Sequence, residues 1–306
     1  MDVIIRLLGL LVLLGAGTGL RLLGVLEETR TARLNALAYY VALPALLFVA
    51  TYDQPIGSLV SVALAGGVVV VFLATAGIAW VFHAREATPA RRSVAVVQSY
   101  HANLGYLGVP LIAATFDDGV TAAASVILGV GALVQVPLTV AILVAVNGTE
   151  TSVRAQSRRL LANPVLLALV AGLGVGSAEI AVPDTAVAGL DVLAAFALPL
   201  AVLCVGASLD PDLPTFDRRA TGRTTVLKMA CMPAIAWVVF ATLGVDADAF
   251  VAAVVMLAMP TAVSTYVFSS ELGGDARFAS VNVFATTVVS VATLALVIGM
   301  LGYSGP

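Results

Sequence analysis

The stretch from Gln98 to Pro110 gathers most of the side chains that could do chemistry inside an otherwise apolar region. Gln98, Ser99, His101 and Asn103 are followed there by Gly105, Tyr106, Gly108 and Pro110. A second stretch, Met259-Pro260-Thr261-Ala262-Val263-Ser264-Thr265, again combines a proline with small hydroxyl side chains. Proline removes a backbone donor and clashes with the preceding turn, and glycine eases a break, so neither stretch should hold a continuous helix. Each new helix N-terminus presents unpaired N–H groups and about half a positive charge. Two such ends aimed at one point bind a carboxylate without a buried Lys or Arg, and no basic residue is read in the middle of any apolar segment. Asn103, Ser99, Gly105, Tyr106, Pro110, Pro260, Thr261 and Ser264 are therefore the expected substrate contacts. His101, whose side-chain type titrates near neutrality, Gln98 and Asp191 are the candidates for carrying a coupled ion. The plainer roles are that Asn103 satisfies broken backbone, that His101 is structural, and that the hydroxyls bond their own preceding carbonyls.

The elements that must position these residues are membrane helices. Hydrophobic residues make up 60% of the 306 positions and charged ones 11%, with a mean hydropathy of +1.06. A soluble domain carries about 25% charged residues, and a chain of this length cannot hide so much apolar surface from water. Ten apolar runs of roughly spanning length cover 3–26, 34–52, 57–82, 93–116, 120–146, 161–179, 185–209, 223–244, 249–271 and 278–302. The first is read as a span and not as a cleaved leader, since Arg6 is its one early basic residue and no cleavage box follows. Arg30, Arg33, Arg85, Arg91, Arg92, Arg154, Arg158, Arg159, Arg218, Arg219 and Arg223 fall in alternate connections, with Arg21 and Lys228 at adjacent helix ends. The other connections are read as holding Asp53, Asp117, Asp118, Glu179, Asp184, Asp246, Asp248, Glu271, Asp275 and Arg277. Basic loops stay cytoplasmic, which puts both termini outside the plasma membrane.

A repeat is also legible. Ala42-Leu43-Pro44 in the second run is echoed by Ala197-Leu198-Pro199 in the seventh, and Val109-Pro110 in the fourth by Met259-Pro260 in the ninth. Five spans is an odd number, so the second copy enters the membrane from the opposite face. The expected fold is an all-α polytopic membrane protein: two inverted five-helix repeats, 1–146 and 161–306, joined by a cytoplasmic linker at 147–160, with broken, crossing fourth and ninth segments.

Other functions are set aside on chemistry. A net charge of −3 with 15 basic and 18 acidic residues leaves no footprint for nucleic acid. Cys204 and Cys231 lie in apolar runs and read as small buried side chains. Asp117-Asp118 stands without a second acidic cluster, two histidines are too few for a zinc enzyme, and His101 has no evident nucleophile partner. No enzyme activity, metal or cofactor is expected. A carrier for a small organic anion is the first reading. A sodium-coupled symporter of the bile-acid type, with Gln98, Gln135 and Asn282 as ligands, is the second, and a channel or sensor the third.

The run Asn103-Leu-Gly-Tyr-Leu-Gly-Val-Pro110 resembles the Asn-x-Gly-aromatic-x-Gly-x-Pro signature of the auxin efflux carrier family. Leu43 to Phe48, Asn163-Pro164, Pro199 with Gly206-Ala-Ser-Leu209, and Met259-Pro260-Thr261-Ala262 follow in that family's order. The resemblance implies a scaffold of segments one, two, six and seven, and a mobile transport domain of segments three to five and eight to ten. It also implies an elevator-like motion, a homodimer formed through the scaffold, organic-anion substrates, and Asn103, Pro110 and Pro260 at the site. Two departures stand out: the 147–160 connection is short and basic, and His101 with its polar neighbours is outside the signature.

Overall fold

The computed structural model describes residues 2–54, 61–149, 162–208 and 217–302. The described residues form helices throughout: α1 (Asp2–Leu22), α2 (Thr29–Val49), α3 (Val62–Phe82), α4 (Pro89–Tyr100), α5 (Leu104–Thr115), α6 (Asp118–Asn147), α7 (Pro164–Ser177), α8 (Asp184–Ala207), α9 (Arg218–Leu243), α10 (Ala247–Leu257), α11 (Ser264–Glu271) and α12 (Ala276–Met300). Six of them, α2, α3, α6, α8, α9 and α12, are long and apolar enough to cross a membrane, and shorter apolar helices stand between. Most of the linker at 147–160, including Arg154, Arg158 and Arg159, lies outside the described residues.

Local chemistry explains where the helices start. Ser61, Thr88, Asp117, Asn163, Asp217, Asp246 and Asp275 each accept a hydrogen bond from an N–H of the first turn that follows. Capping carries α9 back to Arg218, ahead of the expected 223, because Asp217 stabilises a charged first turn that hydropathy alone does not count. The second span likewise begins at Thr29 and takes Arg30 and Arg33 into exposed helical positions. Gly148 and Gly244 end α6 and α9 with φ of 69° and 60°, a left-handed turn that side chains with a Cβ resist.

Prolines leave a second signature. Three π turns, Ala38–Ala42, Leu104–Gly108 and Leu227–Cys231, each lie just ahead of a proline: Pro44, Pro110 and Pro233. A proline ring collides with the carbonyl four residues back, and one wider turn moves that carbonyl aside. In α8 the same demand from Pro199 is met by a tightened turn, where the Phe196 N–H bonds the Leu193 carbonyl at 3.2 Å.

Contacts sort the helices into two sets. α1 packs along α8, and α2 packs against α7 and α8; α3, α4, α6, α9, α10 and α12 pack among themselves around the two interrupted segments. Glycine permits the closest of these approaches. A Cβ on Gly17 would strike the Leu203 carbonyl, and one on Gly206 the Leu14 carbonyl. Thr18 and Arg21 then cross the gap to the Gly206 and Ala207 carbonyls, both at 2.8 Å.

One connection differs from expectation. The Asp275 N–H bonds the Ala90 carbonyl at 3.2 Å, Asn147 donates to the Leu272 carbonyl at 2.9 Å, and Ser93 donates to Asn147 at 3.1 Å. Glu271, Asp275 and Arg277 therefore belong with the basic ends of α4 and α6, not with the acidic connections. α10 and α11 together cover the single run 249–271, so the connection after them is the ninth and returns the chain to the basic side, as the count of spans itself requires. Arg91 lies over the Phe278 ring at 4.6 Å and pairs with Asp217 at 3.5 Å, which knits the same end together.

Candidate functional site at the crossing

α4 stops at Tyr100, and its chain turns extended at His101, with φ −70° and ψ 100°. α10 stops at Leu257, and Pro260, having no N–H, prevents resumption until α11. The two gaps pair with each other: Ala102 and Thr261 form an antiparallel bridge. The Asn103 N–H donates to the Pro260 carbonyl at 2.8 Å and the Ala262 N–H to the His101 carbonyl at 3.1 Å. Peptide groups that a broken helix strands in an apolar interior are satisfied by the other break.

Two further helices pin the pair. Gln135 of α6 accepts from the Ala102 N–H at 3.0 Å and donates to its carbonyl at 3.3 Å. Thr286 of α12 accepts from the Thr261 N–H at 3.3 Å, and Thr261 Oγ1 donates to the Gln98 carbonyl at 2.7 Å. The Gln98 amide donates to Thr265 and to the Ala279 carbonyl, both at 2.9 Å, and accepts from Asn282 at 2.9 Å.

Several of the expected residues find structural employment here. Gln98 and Thr261 hold the crossing together. Ser99 donates to the Ala95 carbonyl at 2.8 Å and lies 3.3 Å from His83 Nε2. His101 Nδ1 is 2.8 Å from Thr139 Oγ1, which also meets the Tyr100 hydroxyl at 2.9 Å. Pro110 sits inside α5, whereas Pro260 sits in the gap, so these two prolines are not counterparts in the two halves. The break in the first half falls at His101–Asn103 because the π turn Leu104–Gly108 absorbs the Pro110 clash. Asp191 is an exposed position of α8, and no described hydrogen bond or ion pair ties it to the crossing.

What remains open lies at the helix starts. Asn103 is buried and caps α5 without using its side chain. The Gly108 N–H bonds the Asn103 carbonyl at 3.0 Å, while the N–H groups of Gly105, Tyr106 and Leu107 find no acceptor among the described residues. Tyr106, half-buried, stacks over Tyr39 of α2 with centroids 6.0 Å apart, so this end of α5 faces the other set of helices. α11 opens at Ser264, which is exposed.

Electrostatics add a group that sequence reading misplaced. Lys228 lies in the π turn of α9 and is fully buried, the one Lys, Arg, Asp or Glu so buried among the described residues. It is neither at a helix end nor outside the apolar stretch. Its signal was present as the chain's sole lysine, well inside an apolar run. Thr139 and Thr286 were legible only as polar residues in apolar helices, while Gln135 and Asn282 also read as candidate ligands of a coupled cation.

The sequence profile of a family described as membrane transport protein matches residues 2–154 and 149–298. The chain belongs to that family. No curated protein matches the chain as a relative. This membrane transport protein is thereby a member of the auxin efflux carrier group, and its apolar helices are those of a multi-pass membrane transporter.

Proposed function

We propose that this transporter is a secondary carrier for a small organic anion, bound where α5 and α11 start at the crossing and moved by alternating access. The observation that carries the reading is the pairing of Ala102 with Thr261, because it holds two helix N-termini at one level. Helix starts attract anions, the Asn103 amide there makes no described hydrogen bond, and no Asp or Glu is among the buried described residues. Counting α4 with α5, and α10 with α11, as single spans gives ten spans in two inverted repeats, 1–146 and 161–306. On this reading α1, α2, α7 and α8 are the scaffold, able to pair in a homodimer, and the other helices move against it. Basic connections face the cytoplasm and both termini face outward across the plasma membrane. A sodium-coupled symporter would be expected to bury a carboxylate ligand for the cation.

The test is a thermal-shift series on purified protein with acetate, benzoate, succinate and indole-3-acetate, with and without sodium. A carboxylate that binds the native state raises the melting temperature, and the shift should be the same without sodium. Asn103→Ala should insert normally and weaken that binding by roughly 10- to 150-fold, the equivalent of one charge-assisted hydrogen bond of about 1.5–3 kcal/mol. Proteoliposome uptake should fall in step. An unshifted melting temperature across the series would remove the anion reading.

A further inference from the structure

Lys228 Nζ donates to the Leu257 carbonyl at 3.2 Å and lies 3.1 Å from Met232 Sδ. It stands about 15 Å along α9 from Arg218 at 1.5 Å per residue. Leu257 closes α10 just ahead of Pro260, so the amine rests on the half-helix that leads into the crossing.

Among the described residues no carboxylate answers it from the helices packed around α9, and Glu86 and Asp217, beside the charged end of α9, pair with Arg223 and Arg91. α3 has no titratable side chain, and α4 brings Arg91, Arg92 and Tyr100. His101, just beyond α4, lies within electrostatic reach of Lys228. α10 has Asp248 at its far end, α12 has Arg277 in its first turn, and α9 itself adds Arg218, Arg219 and Arg223. A neutral amine can donate to a carbonyl as an ammonium does. An ammonium in the same place loses its hydration to two uncharged partners, which do not replace it. A negative charge arriving nearby changes that balance.

We propose that Lys228 is the proton site of the transport cycle, a neutral amine when the crossing is empty and an ammonium when an organic anion occupies it. This rests on the anion-carrier reading above. On loading, a hydronium or buffer acid gives up a proton. Its O–H bond breaks as an N–H bond forms on the Nζ lone pair, and the carboxylate keeps its charge. One anion and one proton enter together, so the loaded site carries the same net charge as the empty one. The ammonium also meets the carbonyl end of α10, where the helix dipole favours a cation. The cargo thus travels as an anion–proton pair and needs no inorganic cation.

Proton uptake is the readout. The panel carboxylate with the largest thermal shift (acetate, benzoate, succinate or indole-3-acetate) is added to purified protein in weakly buffered detergent containing a pH indicator. Wild type should make the solution more alkaline by about one proton per anion bound. Lys228→Met, an apolar side chain of similar length, should bind more weakly, without proton uptake and without pH dependence in its affinity. Lys228→Arg, permanently charged, should bind without uptake. If the Met variant does not fold, wild type and the Arg variant decide. A thermal shift in wild type with no proton uptake, or uptake that survives either substitution, overturns the assignment of Lys228 alone. A panel with no shift at all removes the carrier reading and this one together.

Discussion

Gln135 shows how much of the crossing depends on single side chains. Its amide meets both the N–H and the carbonyl of Ala102, and a leucine in its place would strand a buried N–H. Gln135→Leu should cost about 1–3 kcal/mol of stability, read as a lower melting temperature in detergent. At the edge of the bundle, His83 Nδ1 is 3.1 Å from Glu86. Burial holds the His83 imidazole below its ordinary range, with the Glu86 carboxylate working against that shift. The unfolded imidazole takes a proton below about pH 6.5 that the folded one resists. The unfolded state then binds more protons, so the contribution of His83 is complete above that pH and is lost as pH falls. His83→Gln should flatten the decline in melting temperature between about pH 7.5 and about pH 5.5. Sequence located Gln98, Asn103, Pro260 and Thr261 at a break, because a proline or an amide side chain within an apolar run is costly unless the helix opens to receive it. It could not say that Thr261 Oγ1 is engaged by the Gln98 carbonyl while the Asn103 amide stays unengaged, since that depends on which turn each faces.

Helices were legible as apolar runs, and their ends were not, because caps such as Asp217 extend a helix into charged turns. The resemblance placed segments one and seven in one scaffold, but how closely α1 lies against α8 was equally hidden. It depends on Gly17 and Gly206 lying against backbone of the opposite helix, a contact visible only once both helices are in place. Backbone cannot step aside as a flexible side chain can, so Gly206→Val should separate the pair and cost about 1–3 kcal/mol. Thermal melting of the purified variant measures it. Gly19, which has open space around its missing Cβ, is the matching control and should tolerate alanine. The π turns at Ala38–Ala42 and Leu104–Gly108 were beyond sequence reading for a related reason. A proline announces strain in the turn before it, but neighbours decide whether that strain becomes a wide turn, a tight turn or a gap.

At the scale of the molecule, α2 and α5 meet through the stacked rings of Tyr39 and Tyr106, which join one set of helices to the other. If carriage moves the two sets past each other, a tether there stops it. Tyr39→Cys with Tyr106→Cys, joined through two disulfides by a short bis-methanethiosulfonate, should halt uptake in proteoliposomes, and reduction should restore it. An uptake rate indifferent to the tether would place the motion elsewhere. Charge alternation came through for most connections. The exception at Glu271–Asp275 arose in assigning the charges and not in counting the spans: 249–271 is one run, so the connection after it is the ninth and falls with the basic ends of α4 and α6.

The partnership between Asn103 and Pro260 has a consequence for how the protein is made. Those residues are 157 positions apart (260 − 103), so at about 5–20 residues per second the ribosome needs roughly 8–30 s to reach the second after the first. During that interval the earlier gap lies in lipid or in the insertion machinery without its mate. Gln135, which emerges soon after, can shelter Ala102 while the Asn103 N–H and the His101 carbonyl still wait. The N-terminal half produced alone should accordingly be a short-lived species that quality-control proteases remove, and supplying the C-terminal half as a separate chain should lengthen its lifetime in a pulse-chase.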